Sequence, residues 1–328
     1  MTTGLRHECT IFFEQIASSA LYRKTKLMEW GIGTKMTRSK VISGLKPILF
    51  TLPAMVPFVL FWLAPLLYVL YLSFTEWDFM SPEKTFVGLQ NYADLFSNPA
   101  FYKALRVTVL FCAGSVLPII LLGLGLALLM NRKLKGSALY QVLLFSPWVT
   151  PTVAVSIVWS WIYEPEVGLA NTVLDVFGLE KIGWLQDPKW ALVGVLLVTI
   201  WKSVGWAMIF YLVALRNVPS DLLEAGDLDG ASAGQKFFRI TLPLISPTTL
   251  FLFVVQLIQA LQAYDQINVL TQGGPSGSTR TLLYLYYQSA FESFQIGEAS
   301  SVAVVLVTIC MLLSVFSFGV SRRTTHYQ

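Results

Sequence analysis

Charge is scarce in this chain. Asp, Glu, Lys and Arg make up 13% of its 328 residues, where a soluble domain carries about 25%. That deficit excludes an ordinary water-facing globule, because the chain is also 55% hydrophobic, with a mean hydropathy of +0.62. Cysteine is nearly absent. Cys9, Cys112 and Cys310 are odd in number and far apart, so neither a disulfide framework nor a zinc site is suggested. Only two histidines occur, His7 and His326, both in the terminal tails. That argues against imidazole chemistry in the apolar body. A G-x-x-x-x-G-K-S/T phosphate loop is also missing, so the chain is not expected to hydrolyse ATP alone. No catalytic residue, metal or cofactor is expected.

Long apolar runs are what the sequence has in plenty. About 20 apolar residues cross a bilayer, and six runs qualify, at roughly 48–73, 105–130, 140–163, 190–214, 244–266 and 299–320. The expected fold is an all-α integral membrane protein with six transmembrane helices over 47–322. Residues 1–46 and 323–328 are read as tails, the first poorly ordered or partly helical. The first run has the length of a full span and reads as a retained helix rather than a cleaved signal peptide. Met28 and Met36 lie in the preceding tail as alternative starts to Met1. With the N-terminal tail placed in the cytoplasm, 16 of the 23 Lys and Arg fall on the cytoplasmic side. Six fall outside and Lys202 lies within a span. This bias predicts that both termini are cytoplasmic. Tyr71, Phe74 and Trp77 end the first run, and Trp159, Trp161 and Tyr163 the third, as interface anchors would.

One polar island interrupts the apolar runs on the cytoplasmic side, "VPSDLLEAGDLDGASAGQKFFRITLP", with an elbow expected over 219–243. Pro219 breaks what precedes it. Asp221 is expected as an N-cap with Glu224 as its capping-box partner. A short amphipathic helix follows, with Glu224, Asp227 and Asp229 on its polar side. Gly230 permits a bend. A second short helix is expected from Ala231 to about Ile240, bounded by Pro243 and Pro247. A helix that docks on lipid carries a basic polar face. This one is acidic, which suits a basic cleft on a protein partner.

The order Glu224, Ala225, Gly226, then Gly230, Ile240, Leu242 and Pro243 resembles the EAA loop of ABC importer permeases. Gly226 departs from the family's Ala. The extended form, with Asp229–Ala231, Phe237–Phe238 and Ile240–Pro243, is similar to the carbohydrate-uptake branch of maltose and glycerol-phosphate permeases. So are "FVGLQNY" (Phe86–Tyr92) and "TQGGPSGSTRTLLYLYYQSAF" (Thr271–Phe291). The resemblance covers roughly 45–322. It implies a type I ABC importer transmembrane domain in a bacterial or archaeal plasma (inner) membrane. It implies a second permease subunit, expected to be a different chain, an ABC ATPase dimer and an extracytoplasmic solute-binding protein. Membrane lipid surrounds the chain, and nucleic acid is not a partner. Glu224, Ala225, Gly226, Asp229, Gly230, Leu242 and Pro243 are then the ATPase-coupling residues.

Residues for a solute pathway come from the polar positions within the spans. Lys202 lies mid-span, where a cation is costly and marks a functional site or a structural pair. Gln256, Gln259, Gln262 and Gln266 fall within an arc of roughly 120° on a helix, with Asp265 beside them. Such a stripe either bonds sugar hydroxyls or joins helices. Pro147 and Pro151 are expected to kink the third span. Gly123 and Gly125 are expected to allow close helix contact. A stand-alone secondary transporter or channel is the competing reading, but it predicts internal repeats and intramembrane acids, which the sequence does not display. An intramembrane enzyme lacks a nucleophile–base pair. A glycerol phosphate or polyol is the alternative cargo. A phosphate would want Arg or Lys in the path, and only Lys202 qualifies, so a neutral mono-, di- or oligosaccharide is preferred.

Overall fold

The computed structural model describes residues 50–132 and 136–324. The tail expected over 1–46 lies outside them. The chain divides into two units, Met1–Pro65 and Leu66–Gln328. In the first, the described residues form one helix whose side chains are all exposed. It contains a π-turn at Val59–Leu63, closed by the Ala64 N–H donating to Val59 O.

The apolar runs appear as four continuous helices and two bent pairs. The continuous ones are α1 (Phe50–Leu72), α3 (Pro99–Met130), α7 (Ala191–Arg216) and α13 (Ile296–Thr324). A short helix α2 (Gln90–Ser97) precedes α3. The third run is α4 (Ser137–Val149) and α5 (Thr152–Ile162), bent by 99°. After it comes α6 (Leu169–Val176). The fifth run is approached by α8 (Ser220–Leu228) and α9 (Ala233–Leu244), and α9 meets α10 (Ser246–Leu261) at 62°. Then follow α11 (Asp265–Leu270) and α12 (Leu282–Tyr287), the latter continuing as a π-turn over Gln288–Glu292. Six spans result when each bent pair counts as one. The third and fifth runs are therefore not the single helices that hydropathy suggests, and α13 runs past the expected boundary at 322.

Proline explains both bends. The third run breaks at Thr150–Pro151, because Pro151 has no N–H to continue the ladder. Pro147, also expected to kink, stays inside α4. Its missing bond would have gone to Leu143 O, and the Ser146 hydroxyl donates there instead, at 3.0 Å. The same device recurs at the second bend. Pro247 cannot donate to Pro243 O, and the Ser246 hydroxyl does so at 2.7 Å.

Small residues set the core of the second unit. A Cβ at Gly123 would stand 2.8 Å from Ala207 Cβ, so α3 and α7 pack almost backbone to backbone. Gly125 faces open space, so only one of the two expected contacts forms. Gly205 is tighter still: a Cβ there would lie 1.8 Å from Leu144 O. Around these contacts Phe111, Val195, Ala207, Met208 and Tyr211 are buried. Tyr163 is buried as well and donates to Gly194 O at 3.1 Å. It is a packing residue rather than the interface anchor expected, while Trp161 is 71% exposed. Outside the spans, Asn171 ties the 164–190 segment together. Its amide donates to Pro165 O and Ile182 O and accepts from the Trp184 indole, each at 3.0 Å.

Gly205→Ala forces a methyl into the Leu144 carbonyl, and overpacking of this kind costs about 1–3 kcal/mol. Its Tm in detergent should fall by several degrees, whereas Gly125→Ala should leave Tm unchanged or slightly raised.

Candidate functional site

Two features gather the polar residues, an exposed elbow and a cavity at the break in the third span. The elbow begins at Pro219, the N-cap of α8, which makes no side-chain capping bond. The expected Asp221–Glu224 box is absent. The helix starts two residues earlier than that cap implies, at Ser220, so Asp221 falls in its first turn, where a carboxylate meets the positive end of the helix dipole. The capping box is formed at the second arm instead. Gln235 N donates to Ser232 Oγ at 3.3 Å, and Ser232 N donates to Gln235 Oε1 at 2.8 Å. The S-x-x-Q pattern that signals it is present in "SAGQ" and was the better cue.

Between the arms, Gly230 takes φ +73°. Its N–H donates to Asp227 O at 3.1 Å, and the Ala231 N–H donates to Gly226 O at 2.9 Å. This is a Schellman ending, which needs a left-handed residue where glycine now stands. The arms then fold together on Gly226, which is buried; a Cβ there would sit 3.3 Å from Ile240 Cδ1 and from Lys236 Cγ. At the glycine that departs from the family's alanine the arms thus stand so close that a methyl would need Ile240 and Lys236 to shift by a few tenths of an ångström. Asp227 pairs with Lys236 across the same gap, so one of the four acids of 219–243 is spent inside the elbow. Glu224, Ala225, Asp229 and Gly230 are exposed. Leu242 is half-buried and packs on the main core cluster, and Pro243 is exposed. Sequence reasoning missed the apolar part of this surface: Leu228 is 91% exposed and Phe238 67%.

The cavity has a volume of about 350 Å³. It collects Lys202, Gln256, Gln259, Gln262 and Asp265, with Gln266. The helical arc used to group the glutamines does not describe how they meet. α10 ends at Leu261, Gln262 is its C-cap, and Asp265 and Gln266 open α11. The residues converge because the chain turns over the cavity. Gln256 is 3% exposed, and its Nε2 has no partner among the described residues. A buried amide N–H left unpaired costs about 1–3 kcal/mol. Gln266 Nε2 lies 3.5 Å from Thr199 Oγ1. Lys202 Nζ donates to Trp148 O at 3.0 Å and stands 5.5 Å from the centre of the Trp148 ring. Trp148, Thr152, Thr199 and Ser203 also line it, with Ser115 and Tyr264. The first four were not singled out from sequence. The nearest signal was Pro151, whose break exposes the residues on either side of it.

Chemically, the cavity offers amides, hydroxyls and one charge of each sign. Outside the spans, Lys181 donates to Glu166 at 2.8 Å. That hydrogen bond holds the Glu166 carboxyl below its usual range and raises Lys181. Both side chains are largely exposed, so the pair contributes little to stability.

Residues 119–324 match the family described as binding-protein-dependent transport system inner membrane component. The chain is 37% identical over 272 residues to the probable ABC transporter permease protein YurN of Bacillus subtilis, covering 82% of this chain and 93% of that one. It is 32% identical over 301 residues to the sn-glycerol-3-phosphate transport system permease protein UgpA of Pectobacterium atrosepticum, covering 89% and 100%. It is also 32% identical over 278 residues to the trehalose/maltose transport system permease protein MalF of Thermococcus litoralis, covering 84% and 94%. Among solved structures, a bacterial ABC transporter that imports the acidic polysaccharide alginate superposes with a TM-score of 0.75 at 24% identity, covering 88% of this chain and 99% of that one. That likeness establishes the fold. Helices long and apolar enough to cross a membrane, an elbow with the EAA order, and this match over most of the length place the chain in the binding-protein-dependent inner membrane component family, as a multi-pass permease subunit of an ABC importer, with ATP hydrolysis left to a separate subunit.

Proposed function

We propose that this permease provides half of the path by which a sugar is imported, with an ATPase dimer seated on the elbow 219–243. A second permease, taken to be a different chain, provides the other half, and an extracytoplasmic binding protein delivers the solute. The membrane is the bacterial or archaeal plasma membrane. Both tails, 1–46 and 323–328, are placed on its cytoplasmic side, a reading that the Lys and Arg bias supports.

The observation that carries the reading is the meeting of Gln256, Gln259, Gln262 and Asp265 with Lys202 in one cavity. Amides donate and accept, as hydroxyls do, so they fit a polyhydroxylated solute. A phosphate calls for an uncommitted cation. Lys202 is engaged with the Trp148 carbonyl, and Asp265 lines the same space. The balance favours a neutral mono-, di- or oligosaccharide over a glycerol phosphate. Relatives named for trehalose/maltose and for glycerol phosphate bracket that choice.

At the elbow, Glu224 and Asp229 are the proposed polar contacts to the ATPase. Leu228 and Phe238 supply apolar area beside them. Gly226 and Gly230 keep the elbow compact, Ala225 lies on the exposed face, and Leu242 and Pro243 join it to the fifth span.

Two measurements test the proposal. Glu224→Arg with Asp229→Arg should lower the ATPase retained on co-purification by about tenfold or more, because like charges placed opposite each other cost several kcal/mol. Unchanged retention would remove the elbow from the interface. Gln259→Leu should cut sugar uptake by about tenfold, since a buried solute hydroxyl left unpaired costs on the order of 1–3 kcal/mol, with assembly of the complex intact. If the reconstituted importer carries glycerol phosphate and rejects every neutral sugar, the cargo assignment is wrong.

A further inference from the structure

The third span breaks where the cavity begins, and the break leaves backbone acceptors without helical donors. Pro151 has no N–H, and Thr150 leaves the helix with ψ 136°. The carbonyls of the last turn of α4 must therefore be satisfied from elsewhere. Thr150 Oγ1 donates to Ser146 O at 3.1 Å. Trp148 O is reached by Lys202 Nζ, from α7, at 3.0 Å. A cation is also the favourable partner for the negative end of a helix dipole. In a bilayer an orphan carbonyl and a bare ammonium are both costly, and this one contact relieves both.

The contact does not stand alone. The Trp148 ring stacks on Trp206, one turn along α7, with centroids 5.1 Å apart. Between them Gly205 admits the Leu144 carbonyl to the α7 backbone. α4 is thus held on α7 by an ammonium, a ring stack and a backbone contact. At its other end α7 passes through Asn217–Pro219 directly into α8, the first arm of the elbow. From Lys202 to Arg216 is an unbroken helix of about 21 Å. One rigid rod therefore links the exposed elbow to the broken span at the cavity.

We propose that Lys202 is a positioning residue for transport. Through the Trp148 carbonyl it makes the broken third span travel with α7, so that movement of the elbow reshapes the cavity at Thr152. The ammonium serves this joint and is not presented to the solute. The inference rests on the reading of the elbow as the ATPase contact.

Hydrogen exchange in the complete importer tests it, with this chain, its ATPase, the second permease and the loaded binding protein in vesicles. Peptides spanning 145–156 and 219–243 are compared with and without trapped ATP. In the wild type both segments should change. In Lys202→Met the elbow should still change, the 145–156 response should be lost, and uptake per ATP hydrolysed should fall about tenfold. Lys202→Arg, which keeps a charged donor, should restore both. If the 145–156 response survives in Lys202→Met, the joint does not exist. If the KM for uptake rises while uptake per ATP is kept, Lys202 contacts solute and the inference is overturned. Should the methionine variant fail to assemble, Lys202→Leu, which also lacks a donor, takes its place and the same results decide. An elbow that never responds to ATP in the wild type would instead sink the coupling reading itself.

Discussion

Backbone N–H and C=O groups that leave a helix inside a bilayer have no water to turn to, and each unpaired one costs several kcal/mol. The architecture of this permease depends on how that cost is met. In two of the six runs prolines coincide with a break in the helix, whereas Pro118 stays inside α3, and around the two breaks nearby side chains serve carbonyls that proline leaves without a donor. Ser146 serves the carbonyl that Pro147 abandons, and Ser246 serves the one that Pro247 abandons. Lys202 serves Trp148 at the main break. Non-helical backbone is tolerated at membrane depth only where it lines protein or a polar space. The 99° bend accordingly opens on the cavity that gathers the glutamines. The polar cavity and the broken helix are two aspects of one constraint.

Close approach is the complementary requirement. The side-chain donors at the break reach their carbonyls because α4 lies against α7 with no side chain between them at Gly205, while Gly123 brings α3 onto Ala207. Lipid tails are as apolar as leucine, so helices gain little by hiding apolar surface from lipid. They gain from dispersion contacts over closely approached backbones. Glycine at these two positions therefore contributes by absence of volume. At Gly125, where nothing comes near, the same residue has no such role. Sequence spacing alone cannot separate the two cases, because Gly123 and Gly125 lie two residues apart and face different directions around the helix.

The spans were legible because hydropathy over about 20 residues is a strong, additive signal. The elbow was legible because Pro219, Gly230 and the acids form a local pattern in chain order. A kink in the third run was expected from its prolines, though not a bend of 99°, and the fifth run was taken as one helix, since hydropathy is blind to a missing N–H. The cap at Asp221 was misplaced for a similar local reason. Ser232 and Gln235 carried the box signature, but Gly230 drew the helix start to Ala231. What the sequence could not reveal was any relation between distant positions. Lys202 and Trp148 are 54 residues apart and belong to different spans. A lone mid-span lysine gives no sign of which carbonyl it will reach. The glutamines were grouped by a helical arc that the structure does not keep beyond Leu261, yet they meet, because the turn after α10 returns Asp265 and Gln266 to the space above Gln256 and Gln259.

Charge economy links the two sites. A chain with 13% charged residues has few to spare, and each one placed deep or at a tight bend is committed. Lys202 is committed to a carbonyl and Asp227 to Lys236. That leaves Asp221, Glu224 and Asp229 exposed on the elbow, where a charge costs little and is available to a basic surface. Within the spans the uncommitted polar groups are mainly neutral amides and hydroxyls. A path lined this way would lower the cost of moving hydroxyls from water, with Asp265 the one carboxylate in the lining. Transport needs weak binding, because a site that binds tightly in one state must release in the next. On the proposed coupling, force comes from the elbow and the cavity need only change shape.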